Sequence, residues 1–506
     1  MKNIFKRLIL SMVVLTFALQ SCSDFGDTNI DPLAANEINP DFQFSFLQLR
    51  ISGERYENWR AVLIYSSTMI QHLAALPTYW SGDKYLYNSQ YSGALMERCY
   101  QQQVLQAVDL INTLEKKLAE GEQVANKLAA ARILRVLMFQ RITDLYGDIP
   151  YSEAGKGFLE GIDFPKYDAQ SDIYFDMLKE LEEACAQFDA GQPTYGAADF
   201  FYGGDIAQWE KFGYSLMLRL GMRLTKVDPA AAEAWVKKAI AGGVMTSQDD
   251  TAKIEHTDGP EGINRNGIGE VWLADDNQKM SKMFIDWMVA NNDPRLNAIS
   301  YVPNGTAPKG LPNGYDATTI KDFLGLNPSD DVDQGQWSAV NRSLVTTASP
   351  MIFMFYSEVE LLLAEAAVRN WGGDAATHYN AGVRAAMKQY GDLFDGSAVV
   401  ADADIDAYLA AHPFDGTLAM IGAQHWAANF LNEYEAYSNW RRTGFPALTP
   451  VDYPGNVTGG TIPRRLAYFE GERASNPANL DAALQRQGMP TDFGQMLKVP
   501  VWWDKQ

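Results

Sequence analysis

The sequence predicts a mainly α fold in which tetratricopeptide-like helix pairs form a scaffold beneath a long, loop-rich ligand-binding face. Three observations carry this reading. Apolar residues recur at spacings of three and four in successive segments, those segments come in pairs separated by Gly or Pro breaks, and residues 243–350 interrupt the pairs with a stretch rich in Gly, Asn, Asp and Pro. With 506 residues, 47% of them apolar, the chain can bury a large core.

The first 21 residues read as an address. Lys2, Lys6 and Arg7 form a basic start and Leu8–Ala18 an apolar run, the pattern of a secretory signal that is too short to span a bilayer. The segment ends Leu19-Gln20-Ser21-Cys22, which resembles the bacterial lipobox, so Cys22 is the expected lipidation site and new N-terminus. Acyl chains contribute roughly 0.8 kcal/mol per buried CH₂, enough to hold the protein on a membrane without a transmembrane helix. Residues 22–40 form the lipidated N-terminus and an Asn-, Asp- and Pro-rich tether. The remainder, 41–506, is expected to be one helical domain.

Within it, Val104, Val108, Ile111, Leu114 and Leu118 lie on one helical face. Gly121 punctuates, and Leu128, Ala131, Leu134, Met138, Ile142 and Leu145 resume the pattern. Ser171–Phe188 is a further helix. Trp209–Lys226 pairs with Ala230–Ile240 across the break at Asp228-Pro229. In the interrupting stretch only Lys282–Val289 has helical period, and loops of that length usually carry function. A third pair runs through Ile352, Phe355, Val359, Leu362 and Ala366, turns at Gly372-Gly373 and returns over 375–390; Gln424–Tyr437 is a last helix. The repeat length resembles stacked tetratricopeptide units, without their side-chain signature.

Composition excludes several functions. Lys and Arg number 42 against 63 Asp and Glu, and removing the signal takes away three cations, leaving 39 against 63, or −24. No nucleic-acid partner fits that balance. Three cysteines, Cys22, Cys99 and Cys185, give no disulfide framework and no zinc pair; the last two are expected to be inert and partly buried. The histidines at 72, 256, 378, 412 and 425 have no metal-ligand spacing, and no metal or cofactor is predicted. There is no Gly-x-Ser-x-Gly elbow, and Gly262–Gly267 is followed by Ile268 rather than Lys, so no phosphate cradle forms. Asp402, Asp404 and Asp406 read as the acidic first turn of a helix. Asp331-x-Asp333-x-Gly335 is inconclusive as a calcium loop.

The positive signal is aromatic. Tyr79, Trp80, Tyr85, Tyr87 and Tyr91 fall in a polar, non-helical loop, and Trp272, Tyr301, Tyr315 and Trp337 sit beside Asn, Gly and Gln in the long stretch. Flat apolar rings next to hydrogen-bonding groups suit a sugar ring. Tyr79, Trp80, Tyr85, Trp272, Tyr301, Tyr315 and Trp337 are therefore the candidate ligand residues, with Trp80 expected to be exposed; the other rings of these loops seal them onto the helices. Trp209, Trp235, Trp287 and Trp426 lie in helical patterns and belong to the core. Trp440 fits either role, and Glu433 and Glu435 are expected to pair with Arg441 or Arg442.

Several stretches, in order, resemble the SusD/RagB outer-membrane lipoproteins of the Bacteroidetes. They include Asn29-Ile30-Asp31-Pro32, Thr143–Tyr151, Tyr202-Gly203-Gly204-Asp205 with Trp209, and Ser215–Arg223. Asn292–Leu296, Ser349-Pro350, Glu358–Ala366, Asn439–Gly444, Ile462–Leu466 and Val501–Asp504 follow. Ser23, Asp24 and Asp27 are similar to the acidic signals that send such lipoproteins to the cell surface. The resemblance implies a helical, non-enzymatic lid, lipid-anchored on the outer membrane and facing the exterior. It would capture an oligosaccharide and deliver it to a SusC-like TonB-dependent transporter. Its RagB branch implies peptide cargo as the alternative. A secreted glycoside hydrolase is the rival from another class, since carboxylate pairs are invisible in sequence.

Overall fold

The computed structural model describes residues 38–505 apart from 260–263, 306 and 397. Cys22, the signal and most of the tether lie outside the described residues.

Helices dominate, and their ends obey local chemistry. Leu105–Ala119 and Ala125–Tyr146 form the first pair around Gly121, whose φ of +90° favours glycine. Gln170–Gln187 packs against the second of these. Asp205 caps Ile206–Arg223 by accepting from the amides of Ala207 and Gln208. Asp228 caps Pro229–Gly242, which has Pro at its first position. Asp374 caps Ala375–Leu393, the partner of Tyr356–Val368. Ala125–Tyr146 is buried along nearly its whole length and runs through the middle of a core that collects side chains from almost every helix. The acidic run at 402–406 does open the helix Asp402–Ala411. Among the described residues no helix is long and apolar enough to cross a membrane.

Three expectations are corrected. Among its described residues the 243–350 stretch holds four α-helices rather than one: beside the expected Lys282–Ala290 it has Gly267–Ala274, Arg295–Ile299 and Thr319–Leu324, each too short to show a period. Ile352 lies in the strand Met351–Met354 and Phe355 caps the following helix, because a short apolar run fits both periods. Gln424–Tyr437 is two helices, Leu418–Ala428 and Glu433–Thr443, broken where Leu431 takes a φ of +72°.

Two short antiparallel ladders tie the interrupting stretch to the rest of the chain, Leu73–Ala75 with Gln278–Met280 and Ala252–Ile254 with Met351–Met354, and a third, Ser300–Tyr301 with Ala339–Val340, closes within it. Beneath the stretch lies a second, small core of Ala74, Leu76, Leu311, Ile320 and Trp337, with Tyr315 packed on its edge.

The main core also encloses an ion-pair network. Both carboxylate oxygens of Glu358 accept from Arg219, at 2.7 and 2.9 Å. Arg223 donates to Glu435 at 2.5 Å, and Arg442 grips Glu365 through two bonds of 2.7 and 2.6 Å. Glu433 receives His72. The expected pairing of Glu433 or Glu435 with Arg441 or Arg442 is thus replaced by partners distant in sequence. Ligand atoms of Glu358, His425 and Glu435 lie within 4.8 Å of one another, but Arg219 and Arg223 already supply the positive charge there. Cys99 and Cys185 are free thiols buried among apolar side chains.

A candidate ligand-binding face on the inserted loops

The structure sorts the seven predicted aromatics by burial. Trp80 and Trp337 are fully buried, Tyr85 and Trp272 are nearly so, Tyr315 is half-buried, and Tyr79 and Tyr301 are 38% and 42% exposed. The expectation that Trp80 is exposed is corrected, and for a physical reason. Its indole N–H donates to Asp275 at 3.1 Å, so ring and polar tip are both satisfied inside. The loop is also not free of helix, since a 3₁₀ turn forms over Ser81–Lys84 and an α turn over Ser89–Ser92. Trp272 sits on Gly267–Ala274, facing inward. Trp337 is sealed in the small core with Lys309 Nζ 4.4 Å from its ring centre.

Two surfaces emerge. The first is a rim. Asp275, at the end of Gly267–Ala274, receives the Tyr79 hydroxyl at 2.7 Å as well as Trp80, and Asn277 donates back to it at 2.6 Å. Burial and then the carboxylate of Asp275 push the Tyr79 phenol up to about 12, so it stays a neutral donor. Trp59 meets Tyr79 edge-on, 6.4 Å between ring centres. Tyr301 stands apart on its edge strand.

The second is a cleft of about 500 Å³, within the range typical of ligand pockets. Tyr315 and Tyr453 supply its rings, and Lys282, Asp286 and Asp452 its exposed charge. Burial works against the charged form of Asp316. The Thr319 amide, the Tyr453 hydroxyl and the Thr318 amide outweigh it and hold its carboxyl down at about 2. Asp316 is thereby a fixed anion that orients Tyr453 through a 2.7 Å bond. The reciprocal effect, led by the bond to Asp316, raises the Tyr453 phenol to about 12. Tyr85 supports the cleft from below, its hydroxyl accepting from the amide of Val451 at 3.3 Å. Gln71, in the left-handed region at φ +58°, donates its side-chain amide to the Thr449 carbonyl, which fixes this strained residue against the cleft wall. A similar cavity of about 550 Å³ beside Trp502 is bordered by the Arg486–Asp148 ion pair and lined largely by the C-terminal segment 499–505, away from the inserted loops.

Of the predicted residues, Tyr79, Trp80 and Trp272 belong to one neighbourhood and Tyr315, Tyr85 and Trp337 to the other, while Tyr301 joins neither by any hydrogen bond or ring contact described. Sequence reasoning missed Trp59 and Tyr453. Tyr453 lies in Thr449–Gly455, whose Pro, Asp and Gly content matches the loops already flagged; Trp59 gave no such signal.

Residues 35–469 match the SusD-like family described as starch-binding and associating with the outer membrane. A solved structure described as a chitin-binding protein is 34% identical, with a TM-score of 0.82, covering 92% of this chain and all of the other. A Bacteroidetes SusD-like structure is 27% identical with a TM-score of 0.79, covering 93% and 100%. A chitin-binding SusD homolog from Flavobacterium johnsoniae is 25% identical with a TM-score of 0.76, covering 92% and 98%. A search of curated proteins finds no match. The match over most of the chain, together with the shared helical architecture, shows that this chain belongs to the SusD-like family.

Proposed function

We propose that the protein is a non-enzymatic oligosaccharide-binding lipoprotein of the outer membrane. In this reading it is held at the cell surface through Cys22 and hands its ligand to a SusC-like TonB-dependent transporter. The cleft between Tyr315 and Tyr453 is the observation that carries the binding claim: two aromatic faces on ordered loops, beside fixed charges, in a SusD-like fold. Tyr79 and Asn277 form the separate polar rim, a second surface on the same loops.

The chitin-binding descriptions of two similar structures favour N-acetylglucosamine oligomers as the first cargo to test. Such sugars offer an apolar ring face for stacking and an amide for hydrogen bonding. Beside the rings, Asp286 pairs with Lys282 and Asp316 accepts from four donors, so neither is a free carboxylate.

Calorimetric titration of residues 23–506 with chito-oligosaccharides tests the claim. Saturable binding that is lost in Tyr315→Ala supports it; binding of a peptide digest alone would transfer the cleft to peptide cargo, and release of reducing ends would establish an enzyme. Transfer to the transporter is tested separately. Pull-down of the native lipoprotein from solubilised outer membrane should bring a large barrel partner, through an interface of about 2,000 Å² or more.

A further inference from the structure

The Tyr79 rim runs into a strip of arginines that lie over aromatic rings. Helix Arg55–Glu57 continues into the π-helical turn Asn58–Ser67, which sets Tyr56, Trp59 and Arg60 close together. Arg60 Cζ lies 3.9 Å from the Tyr56 ring centre, and Arg98, at the end of Ala94–Arg98, lies 4.5 Å from the same ring. Arg55 stands 5.7 Å from Trp59, which in turn meets Tyr79. A guanidinium held over a ring keeps terminal N–H groups that can still bond a ligand.

Charge is what sets this strip apart. On a chain of net charge −21, Arg55, Arg60 and Arg98 form no ion pair among the described residues. Their one side-chain hydrogen bond there runs from Arg60 Nη1 to the Tyr56 carbonyl at 3.0 Å, and the Nε atoms of Arg60 and Arg98 are buried without a partner. The nearby acids are otherwise engaged. Glu54 pairs with Arg50, and Glu97 accepts the Tyr56 hydroxyl at 2.9 Å. Glu57 is buried, and burial pushes its carboxyl up to about 7, so its neutral form is well populated at neutral pH. Burial, together with the repulsion of Arg55 and Arg98, lowers the pKa of Arg60, which places the three cations within electrostatic reach of one another.

We propose that this strip is an anion-recognising subsite for an acidic saccharide. Guanidinium edges of Arg55, Arg60 and Arg98 bond a carboxylate or sulfate substituent while the sugar ring rests on Trp59 and Tyr79. The proposal rests on the glycan reading of the face and adds a ligand class to it. Planar, doubly hydrogen-bonded recognition is what arginine does for such groups. A local cationic strip also offsets the repulsion that the acidic protein exerts on anionic ligands.

The test is calorimetric titration of residues 23–506 with four probes: oligogalacturonate, its methyl ester, a heparin-derived sulfated oligosaccharide and a chito-oligosaccharide. An acidic probe should bind about tenfold more tightly than the neutral ester, with affinity falling as salt rises. Comparing galacturonate with the sulfated probe identifies the anionic group. R60Q/R98Q should abolish the preference and leave chito-oligosaccharide affinity unchanged. R60K/R98K, which keeps the charge and packing but loses the fork, should retain a salt-sensitive remnant at the wild-type melting temperature, and it stands in if the glutamine variant does not fold. Equal affinity for acid and ester, or a preference indifferent to these variants, overturns the subsite while leaving the glycan reading intact. Failure of every saccharide overturns both.

Discussion

Trp337→Ala separates a structural from a ligand-contacting tryptophan. The side chain is wholly buried in the small core under the inserted loops, so truncation removes on the order of 200 Å² of apolar burial, ~5 kcal/mol at 25 cal/mol per Å². Tryptophan truncations in cores typically cost about 3–5 kcal/mol, and the Lys309 contact adds ~0.5–1 kcal/mol. No hydrogen bond is lost, because the indole N–H has no partner. Trp337→Phe therefore keeps most of the packing and should cost only about 1–2 kcal/mol. The small core supports Tyr315, so the alanine variant should lose both local protection and glycan affinity, and phenylalanine should restore both. Amide exchange over 309–340 is the assay. A local loss of ~4 kcal/mol accelerates exchange by roughly a thousandfold, provided those amides exchange through local opening. If Trp337→Phe weakens glycan binding as much as alanine does, with exchange unchanged, the indole touches ligand and the reasoning fails.

Other predictions concern the interior. Glu365→Gln should lower stability at neutral pH by about 3–5 kcal/mol, because it leaves the buried Arg442 unpaired. Burial opposes the Glu365 charge, but Arg442 and Arg369 overcome it and hold the carboxyl at about 2 against an ordinary 4.5. A folded value below the unfolded one means stability that is full above pH 4.5 and disappears as pH falls through about 2, ~3 kcal/mol in all. Melting curves of wild type and variant should therefore converge toward pH 2, and a constant gap would contradict the pairing. Burial raises the thiol of Cys99 well above its usual range and that of Cys185 to about 12. In a chain starting at residue 23, neither should react with iodoacetamide at pH 8 until denaturant is added; rapid native labelling would show that one is accessible. Tyr453→Phe should weaken glycan binding less than Tyr453→Ala, since the ring survives and only its bond to Asp316 is lost; affinity equal to that of the alanine variant would assign the role to the hydroxyl.

Helix pairing was legible because it is local. The runs at 104–145 and 209–240 carry three-and-four spacing and a Gly or Asp-Pro break, which the structure turns into caps and turns. Lys282–Ala290 showed its period, but the helices of five to eight residues at 267–274, 295–299 and 319–324 were not legible, since so few residues cannot establish one. Aromatic exposure was illegible for another reason. Tyr79 and Trp80 are neighbours of similar chemistry, yet one faces solvent and the other points inward to Asp275, a partner 195 residues away. The arginine network fails the same way. Arg219 and Arg223 stand one turn apart, which announces a shared face, but Glu358 and Glu435 reach them only through the fold. Tyr453 became visible only when the loop at 449–455 met the one at 312–319.

The central claim is that the Tyr315–Tyr453 cleft binds oligosaccharide. Calorimetric titration of residues 23–506 with a chito-oligosaccharide, repeated for Tyr315→Ala and Tyr453→Ala, tests it most directly. The account predicts saturable one-site binding in the wild type and a loss of about tenfold or more in each variant, ~1.4 kcal/mol or above, with melting temperatures little changed. Unaltered affinity in both folded variants would place the ligand elsewhere and contradict the account.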